Sequence, residues 1–599
     1  MKRILFAAAT MLALQSFGQV SPEILPHYMT EAEKAALERL DFAPVVTRGI
    51  ETPPPFDGLR TMAEWEEIEA LTMSWTGFPN ILKRIVSASM NECQVIILSE
   101  DVQETQTYLE GPSAGGAITD FSNITIIDAN FDSIWARDYS GNTVYGSEVD
   151  DRIFVDWIYN RPSRPNDNAS PQYIAEYIGM DMYCTTQSPA DLVNTGGNFM
   201  ADGFGTAFAS ALILDENEAG NPYGVSTKSE GEVDQIMSDF MGLDRYIKMT
   251  PLPYDIIHHI DMHMKLLDEE TLLIGEYPEG VADGPQINAN IDYVLANFNS
   301  VFGTPYRVLR VPMPPSTGGN WPDDPWPNTA SYRTYANAVF VNKTIIIPTY
   351  REEYDTTAFR IWEENMPGYN LVGIDCDDSG SNIISLAGAI HCITHSVGVD
   401  DPLLISHQPL PDTEDDTNNY LVEAYMNHKD GVSNGALFWK TDLADSYTSA
   451  SMSPTGEENM WSAEIPAQEF GTKVYYYVEG EASSGKVQVR PIVAPEGYWD
   501  FKVTTSVVNI SGEAFAAFQP VYPNPACAIT CIPLTVKKET QGKLSLRNVM
   551  GETVEIIHQG TFPQGESKYF FHAQNLSAGA YFVTFEYQGG VYSQKVMVK

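Results

Sequence analysis

A mixed α/β domain followed by two all-β domains is the architecture that this 599-residue chain predicts. Three observations carry it. Short β-branched runs (Val95-Ile96-Ile97-Leu98, Ile124-Thr125-Ile126-Ile127, Thr344-Ile345-Ile346-Ile347) recur between glycine-rich turns and amphipathic stretches such as Glu64 to Leu71, the mark of strands and helices in alternation. After residue 404 that texture ends, and Val474, Tyr476 and Val478 alternate with Tyr475 and Tyr477, as in a strand with one buried face. From Tyr522-Pro523-Asn524-Pro525 to Lys599 only strand-like runs remain. Length alone suggests about three or four domains.

In chain order, Lys2 and Arg3 precede an apolar run from Ile4 to Leu14 and then Ser16-Phe17-Gly18. This is the pattern of an export signal, residues 1–18, cleaved after Gly18. The run is too short for an ordinary membrane helix, so the expected mature protein has no stable transmembrane segment. Residues 19–55 read as a polar, partly helical lead-in that ends in Pro53-Pro54-Pro55. The α/β domain, 56–403, spans roughly 350 residues, large for one core. Gly-Gly-Asn occurs twice, at Gly196-Gly197-Asn198 and Gly318-Gly319-Asn320, and repeated units would explain the size. Residues 404–508 read as a β-sandwich with a tight turn at Asp430-Gly431. Residues 517–599 read as a small β-domain that includes Gly542-Lys543-Leu544-Ser545-Leu546 and Leu576 to Val583. Neither β-domain offers a clustered His, Cys or carboxylate set, which places catalysis in the first domain.

The formal charge is -45. A surface that acidic repels nucleic acid and anionic lipid and attracts cations; solubility outside the cell accounts for it equally well. Six cysteines (Cys93, Cys184, Cys376, Cys392, Cys527, Cys531) are too few and scattered for a disulfide framework. Cys527 and Cys531 are near enough in sequence to pair, although strand geometry could hold them apart.

Cys392 stands out because small residues approach it in Gly388-Ala389-Ile390-His391-Cys392-Ile393-Thr394-His395. By itself it reads equally as a bridged or inert core thiol. Trp135-Ala136-Arg137-Asp138 and His259-Ile260-Asp261 add the other parts that guanidinium hydrolysis needs. A guanidinium is planar, charged and rich in donors, so carboxylates in its plane bind it best. Asp138 and Asp261 are the candidate clamp; the plain alternative for Asp138 is an ion pair with Arg137. In an extended segment His259 and Asp261 share a face, His258 faces away and His263 faces inward. A metal site is the rival for this histidine-rich stretch, but the three or four ligands it needs are not evident. Cys392 attacks the central carbon as thiolate. His259 protonates the departing ammonia and then activates the water that cleaves the thiouronium adduct.

Together with Tyr335-Ala336-Asn337-Ala338, Ala63-Glu64-Trp65-Glu66 and Gly196-Gly197-Asn198-Phe199-Met200, these motifs resemble the bacterial, porphyromonad-type peptidylarginine deiminase and agmatine deiminase family. The resemblance implies a pentein α/β propeller over 56–403, with catalytic Cys392, His259, Asp138, Asp261 and Asn337, Trp135 lining the substrate pocket, and neither catalytic metal nor cofactor. The stretch Tyr159-Asn160-Arg161-Pro162-Ser163-Arg164 is similar to one in which secreted members grip the carboxylate of a C-terminal arginine, which implies substrate-binding roles for Arg161 and Arg164. Pro162 and Ser163 hold the two arginines farther apart than that pattern. Residues 404–508 resemble the immunoglobulin-like module of those enzymes, and 517–599 a type IX secretion C-terminal sorting domain. The implied partners are arginine-containing peptides or proteins and the type IX machinery. The implied location is outside the cell or on its surface, reached through the periplasm and outer membrane. The alternatives are an agmatine or free-arginine deiminase, a thiol protease, and an inactive surface-binding protein.

Overall fold

Between residues 60 and 398 the chain repeats one excursion: an antiparallel strand pair, a helix, and a further strand parallel to the second. In the first, Asn142–Gly146 pairs antiparallel with Asp150–Tyr159, helix Pro171–Ile178 follows, and Met182–Thr185 returns parallel. The second uses Met200–Ala201, Thr206–Ser210, helix Glu230–Met241 and Arg245–Met249. The third uses Met264–Leu266, Thr271–Glu276, helix Gly284–Asn297 and Arg307–Pro312. The fourth uses Val339–Val341, Thr344–Thr349, helix Glu352–Asn365 and Asn370–Asp375. The last is assembled from both ends of the region. His395–Gly398 pairs antiparallel with Ile68–Ser74, and helix Pro79–Ser89 leads to the parallel strands Gln94–Ser99 and Ile124–Asp128.

The computed structural model describes residues 24–39, 49–323, 330–504, 515–519, 521–526, 529–548, 551, 553–587 and 590–599. The expected signal peptide, 1–18, and Cys527 lie outside the described residues.

The β-branched runs behave as their chemistry dictates. Ile345, Ile346 and Ile347 are fully buried, since a parallel strand covered on both faces takes a continuous apolar run. The stretch from Glu64 to Leu71 departs from expectation. Ile68–Ser74 is a strand between two others, and Ile68, Ala70, Leu71 and Met73 bury both of its faces. The two Gly-Gly-Asn tripeptides are not equivalent either. Gly196–Asn198 is the 3-10 turn that opens the second repeat, whereas Gly318 to Asn320 closes a loop on Ser316. Asn342 links repeats through its side-chain amide. It accepts from the Ile68 N–H at 2.8 Å and donates to the Glu92 carbonyl at 2.8 Å.

Residues through Val503 form one compact unit. Beyond the α/β region, eight strands run from Leu404–Ser406 to Trp499–Lys502. Val474, Tyr476 and Val478 are fully buried as the alternation predicts, but Tyr477 is buried as well, stacked on Phe438 at 4.7 Å. The Asp430-Gly431 turn joins strands Tyr420–Asn427 and Val432–Lys440, which are not paired with each other. Arg490 and Lys486 tie this region to the α/β part through Glu269 and Glu67. The second unit, from Thr504, contains a three-stranded and a four-stranded antiparallel sheet over a core that includes Leu544, Leu546, Val583 and Val596. No described helix is long and apolar enough to cross a membrane.

Candidate active site

The repeats open on short turns, and these turns meet. Helix Ala136–Tyr139 presents Asp138, turn Gly196–Asn198 presents the Gly197 amide, turn Ile260–Met262 presents Asp261, and turn His391–Ile393 presents Cys392. Asn337 stands just ahead of strand Val339–Val341. A short turn ahead of a strand leaves backbone donors and acceptors unpaired, and neighbouring turns fill them. The His391 N–H donates to Asn337 Oδ1 at 3.0 Å, the Gly197 N–H to Asp138 Oδ1 at 3.2 Å, and Asn337 Nδ2 to the Asp261 carbonyl at 3.2 Å. One set of hydrogen bonds thus fixes the turns and the side chains they carry.

Cys392 is fully buried, with Sγ 3.2 Å from Asn337 Nδ2 and 3.6 Å from Asp261 Oδ2. Burial, with Asp261 and Asp138 adding to it, pushes this thiol well above its ordinary range. Asp261 Oδ2 is 2.7 Å from His391 Nδ1, and His391 Nε2 is 3.0 Å from Glu64 Oε2. Glu64 is held in turn by Lys265 at 2.6 Å. Burial opposes ionisation of Asp261 most strongly, but the His391 hydrogen bond and charge, with His259 and His27, together outweigh it and the carboxyl lies below its usual range. Its Oδ1 is buried without a partner.

His259 and Asp261 both reach the site, though not by extended alternation: His259 precedes a 3-10 turn that contains Asp261. His259 is fully buried, and desolvation pushes its imidazole down to about 3 although Asp138 pulls the other way. Its Nδ1 lies 3.6 Å from Asp138 Oδ1. Gly197 is obligatory here, since a Cβ at that position would sit 2.4 Å from His259 Nδ1. His263 is buried but lies outside these contacts, and its imidazole is pushed down to about 4 by burial.

The remaining space is filled by the lead-in. His27 is fully buried, stacked on Trp135 at 4.4 Å and edge-on to His259 at 4.8 Å, with Nε2 2.5 Å from Asp138 Oδ2. Burial opposes the charge on Asp138, yet His27 and His259 hold its carboxyl below the usual range. Trp135 is itself fully buried, and it fits because residue 388 is glycine: a Cβ there would stand 2.2 Å from the indole. Arg161 Nε and Nη2 donate to the His27 carbonyl at 3.2 and 2.9 Å. Arg164 is fully buried and donates to Glu33 through Nε at 2.8 Å.

His27, Asp138 and His259 offer donor atoms within 4.8 Å of one another. Two ligands of a tetrahedral ion stand about 3.3 Å apart, whereas His27 Nε2 and Asp138 Oδ2 are at hydrogen-bond distance, 2.5 Å. A second group, His428 and Asp430 of the β-region with Asp401 of the preceding domain, lies across the boundary between the two, and Lys429 pairs with Asp401 at 3.3 Å. All the expected site residues, Cys392, His259, Asp138, Asp261, Asn337, Trp135, Arg161 and Arg164, thus take part in one connected set of contacts. Sequence reasoning missed His391 and Glu64, although both lie inside motifs it singled out, and it missed His27 altogether. Among the described residues, Cys93, Cys376, Cys392 and Cys531 are buried free thiols, and Cys184 is buried as well.

Residues 60–397 match the profile of the Porphyromonas-type peptidyl-arginine deiminases, and residues 520–599 that of a secretion system C-terminal sorting domain. A Legionella pneumophila protein assigned as an agmatine deiminase is 25% identical over 355 residues, covering 57% of this chain and 96% of its own length. Among solved structures, the agmatine deiminase of Enterococcus faecalis is 18% identical with a TM-score of 0.48, covering 60% of this chain and 100% of its own. A Porphyromonas gingivalis protein assigned as an arginine deiminase is 18% identical with a TM-score of 0.48, covering 57% and 99%. The C-terminal sorting domain directs the chain to type IX secretion and so to the cell surface or beyond.

Proposed function

The chain belongs to the Porphyromonas-type peptidyl-arginine deiminase family, and from that premise we propose that it hydrolyses the guanidinium of peptidyl-arginine, at a C-terminal arginine, to citrulline and ammonia. The observation that carries this reading is the meeting of Cys392 with Asp261 and of His259 with Asp138, where His27 stacks on the Trp135 indole and Arg161 holds the His27 carbonyl. The repeats around this site are what a pentein α/β propeller provides, and we assign 404–508 to the immunoglobulin-like module.

A guanidinium laid on Trp135 in the place of the His27 ring donates to Asp138 on one side and to the unpartnered Oδ1 of Asp261 on the other. Cys392 is a thiol while those carboxylates stand uncompensated, because burial and their charge both oppose a thiolate. The bound cation reverses that field, so ionisation accompanies substrate binding. Sulfur then forms a bond to the central carbon, and His259 passes the thiol proton to the nitrogen that leaves as ammonia. A water activated by neutral His259 cleaves the thiouronium, which restores the thiol and yields an uncharged ureido group. Loss of charge weakens the hold of both carboxylates and favours release.

Citrulline formation tests this on the full chain and on the chain cut between Arg39 and Gly49. The substrates are a peptide ending in arginine, its C-terminal amide, a peptide with internal arginine, and agmatine, scored as its own ureido product. Preference for the free C-terminal arginine, with Arg161→Ala impairing it more than the amide, is the expected result. Preference for agmatine keeps the chemistry and overturns the substrate, and silence on all four in both forms overturns the enzyme.

A further inference from the structure

Residues 24–38 are bound as a ligand is bound. The Trp135 indole N–H donates to the Leu25 carbonyl at 3.0 Å, and the His27 N–H donates to the Leu386 carbonyl at 2.9 Å. Arg164 Nη2 donates to the carbonyls of Pro26 and Tyr28 at 2.8 and 3.2 Å, on either side of the His27 carbonyl held by Arg161. Three successive peptide carbonyls therefore rest on two arginines. Helix Glu31–Glu38 then begins on a capping box in which Thr30 and Glu33 satisfy each other's backbone N–H, and this fixes Glu33 at the first turn. The Glu33 carboxylate takes a two-pronged donation from Arg164 at 2.8 and 3.2 Å and a third from Ser163 Oγ at 2.9 Å.

The side chain that enters the reaction pocket is the telling one. Imidazole is flat and carries two donors at most, so it reproduces the parts of a guanidinium that Trp135 and Asp138 read. Both His27 nitrogens face oxygen atoms, Nε2 that of Asp138 and Nδ1 that of the Ala387 carbonyl at 2.8 Å. Imidazole has no exocyclic amine to expel, however. It occupies the clamp and cannot be turned over.

We propose, on the deiminase reading above, that residues 24–38 form a built-in pseudosubstrate that keeps the site closed until the segment is severed from the body of the protein. The same contacts define what replaces it. An arginine side chain takes the place of the His27 ring, a peptide carbonyl or terminal carboxylate takes Arg161, and an acidic group takes Arg164, whose side-chain hydrogen-bond partners among the described residues all come from the segment. Tethering holds the segment at an effective concentration in the millimolar range, and cutting the tether removes that advantage, so at micromolar protein its occupancy falls by up to about a thousandfold. Arg39, the residue that ends the helix, is exposed, and cleavage beyond it separates the segment without touching the pocket.

The test places a sequence-specific protease site within residues 40–48 of the full chain. Two rates are followed before and after cutting. One is citrulline formation from an arginine-terminated peptide, and the other is alkylation of Cys392 by chloroacetamidine, with Cys392→Ala as the blank. Both rates should rise at least tenfold on cutting, and the uncut His27→Ala/Glu33→Ala double variant should show the same gain. A synthetic 24–38 peptide should suppress the cut enzyme, whereas the peptide carrying both alanines should not. Equal rates before and after cutting, with no gain in the double variant, overturn the pseudosubstrate. A rise in alkylation with no citrulline from any guanidinium substrate leaves the closed site standing and refutes the deiminase instead.

Discussion

His391 decides how Asp261 behaves. Without it, a fully buried carboxyl is driven towards its neutral form; with Nδ1 at 2.7 Å the same carboxyl stays below its usual range. Glu64 at the far nitrogen fixes which way the ring faces, the usual duty of a partner one step removed from the reacting atoms. His391→Ala should therefore lower kcat/KM about 10- to 100-fold and move the acid limb of the pH–rate profile upward, since the Asp261 carboxyl then gains its proton at higher pH. An unmoved acid limb would show that His391 only packs. Asp138→Asn removes half of the clamp and should lower the rate by about a hundredfold or more with citrulline as the readout; wild-type turnover would remove that carboxylate from the mechanism. At this scale much was legible in the sequence. Cysteine, histidine and aspartate in unusual motifs report their chemistry directly. His391 was passed over because it stands beside a more reactive residue, and His27 because a lone histidine in a polar lead-in gives no local sign of the pocket it enters.

The turns that open the repeats tolerate little extra volume. A Cβ on Gly197 would meet His259 Nδ1 at 2.4 Å and Asp138 Oδ1 at 3.0 Å, so Gly197→Ala must displace one of two groups the chemistry uses. Gly388→Ala meets the Trp135 ring first, at 2.2 Å. Overpacking of this kind costs about 1–3 kcal/mol. Both variants should unfold at lower denaturant concentration, but Gly197→Ala should also lose kcat, while Gly388→Ala should act mainly on KM by tilting the indole. Equal kinetic damage from the two would mean that the whole site shifts as one body. Strands at this scale were legible wherever β-branched residues clustered. The repetition was not, because the repeats share a chain path rather than residues, and the last is divided between Ile68–Ser74 and His395–Gly398. Burial on both faces of Ile68–Ser74 erased the alternation that would have marked it as a strand.

Across the whole molecule, 80 acidic side chains face 35 basic ones. Part of the basic complement is committed inside, as Arg60 is to Glu66, Arg164 to Glu33 and Lys265 to Glu64. Each such pair removes one charge of either sign, so the acidic excess remains, and its self-repulsion opposes the folded state. The Debye length shrinks from about 30 Å at 0.01 M salt to about 10 Å at 0.1 M, a change that screens charges spread over the surface and scarcely alters pairs buried within it. Raising NaCl over that range should therefore lift the thermal midpoint by about 2 °C, equivalent to roughly 1 kcal/mol for a large domain. The same addition should lower kcat/KM for a cationic peptide and leave kcat unchanged, because the field that strains the fold is the one that draws the substrate in. A midpoint that fell with salt would assign the balance to exposed ion pairs instead, and a kcat/KM indifferent to salt would reduce the acidity to a matter of solubility.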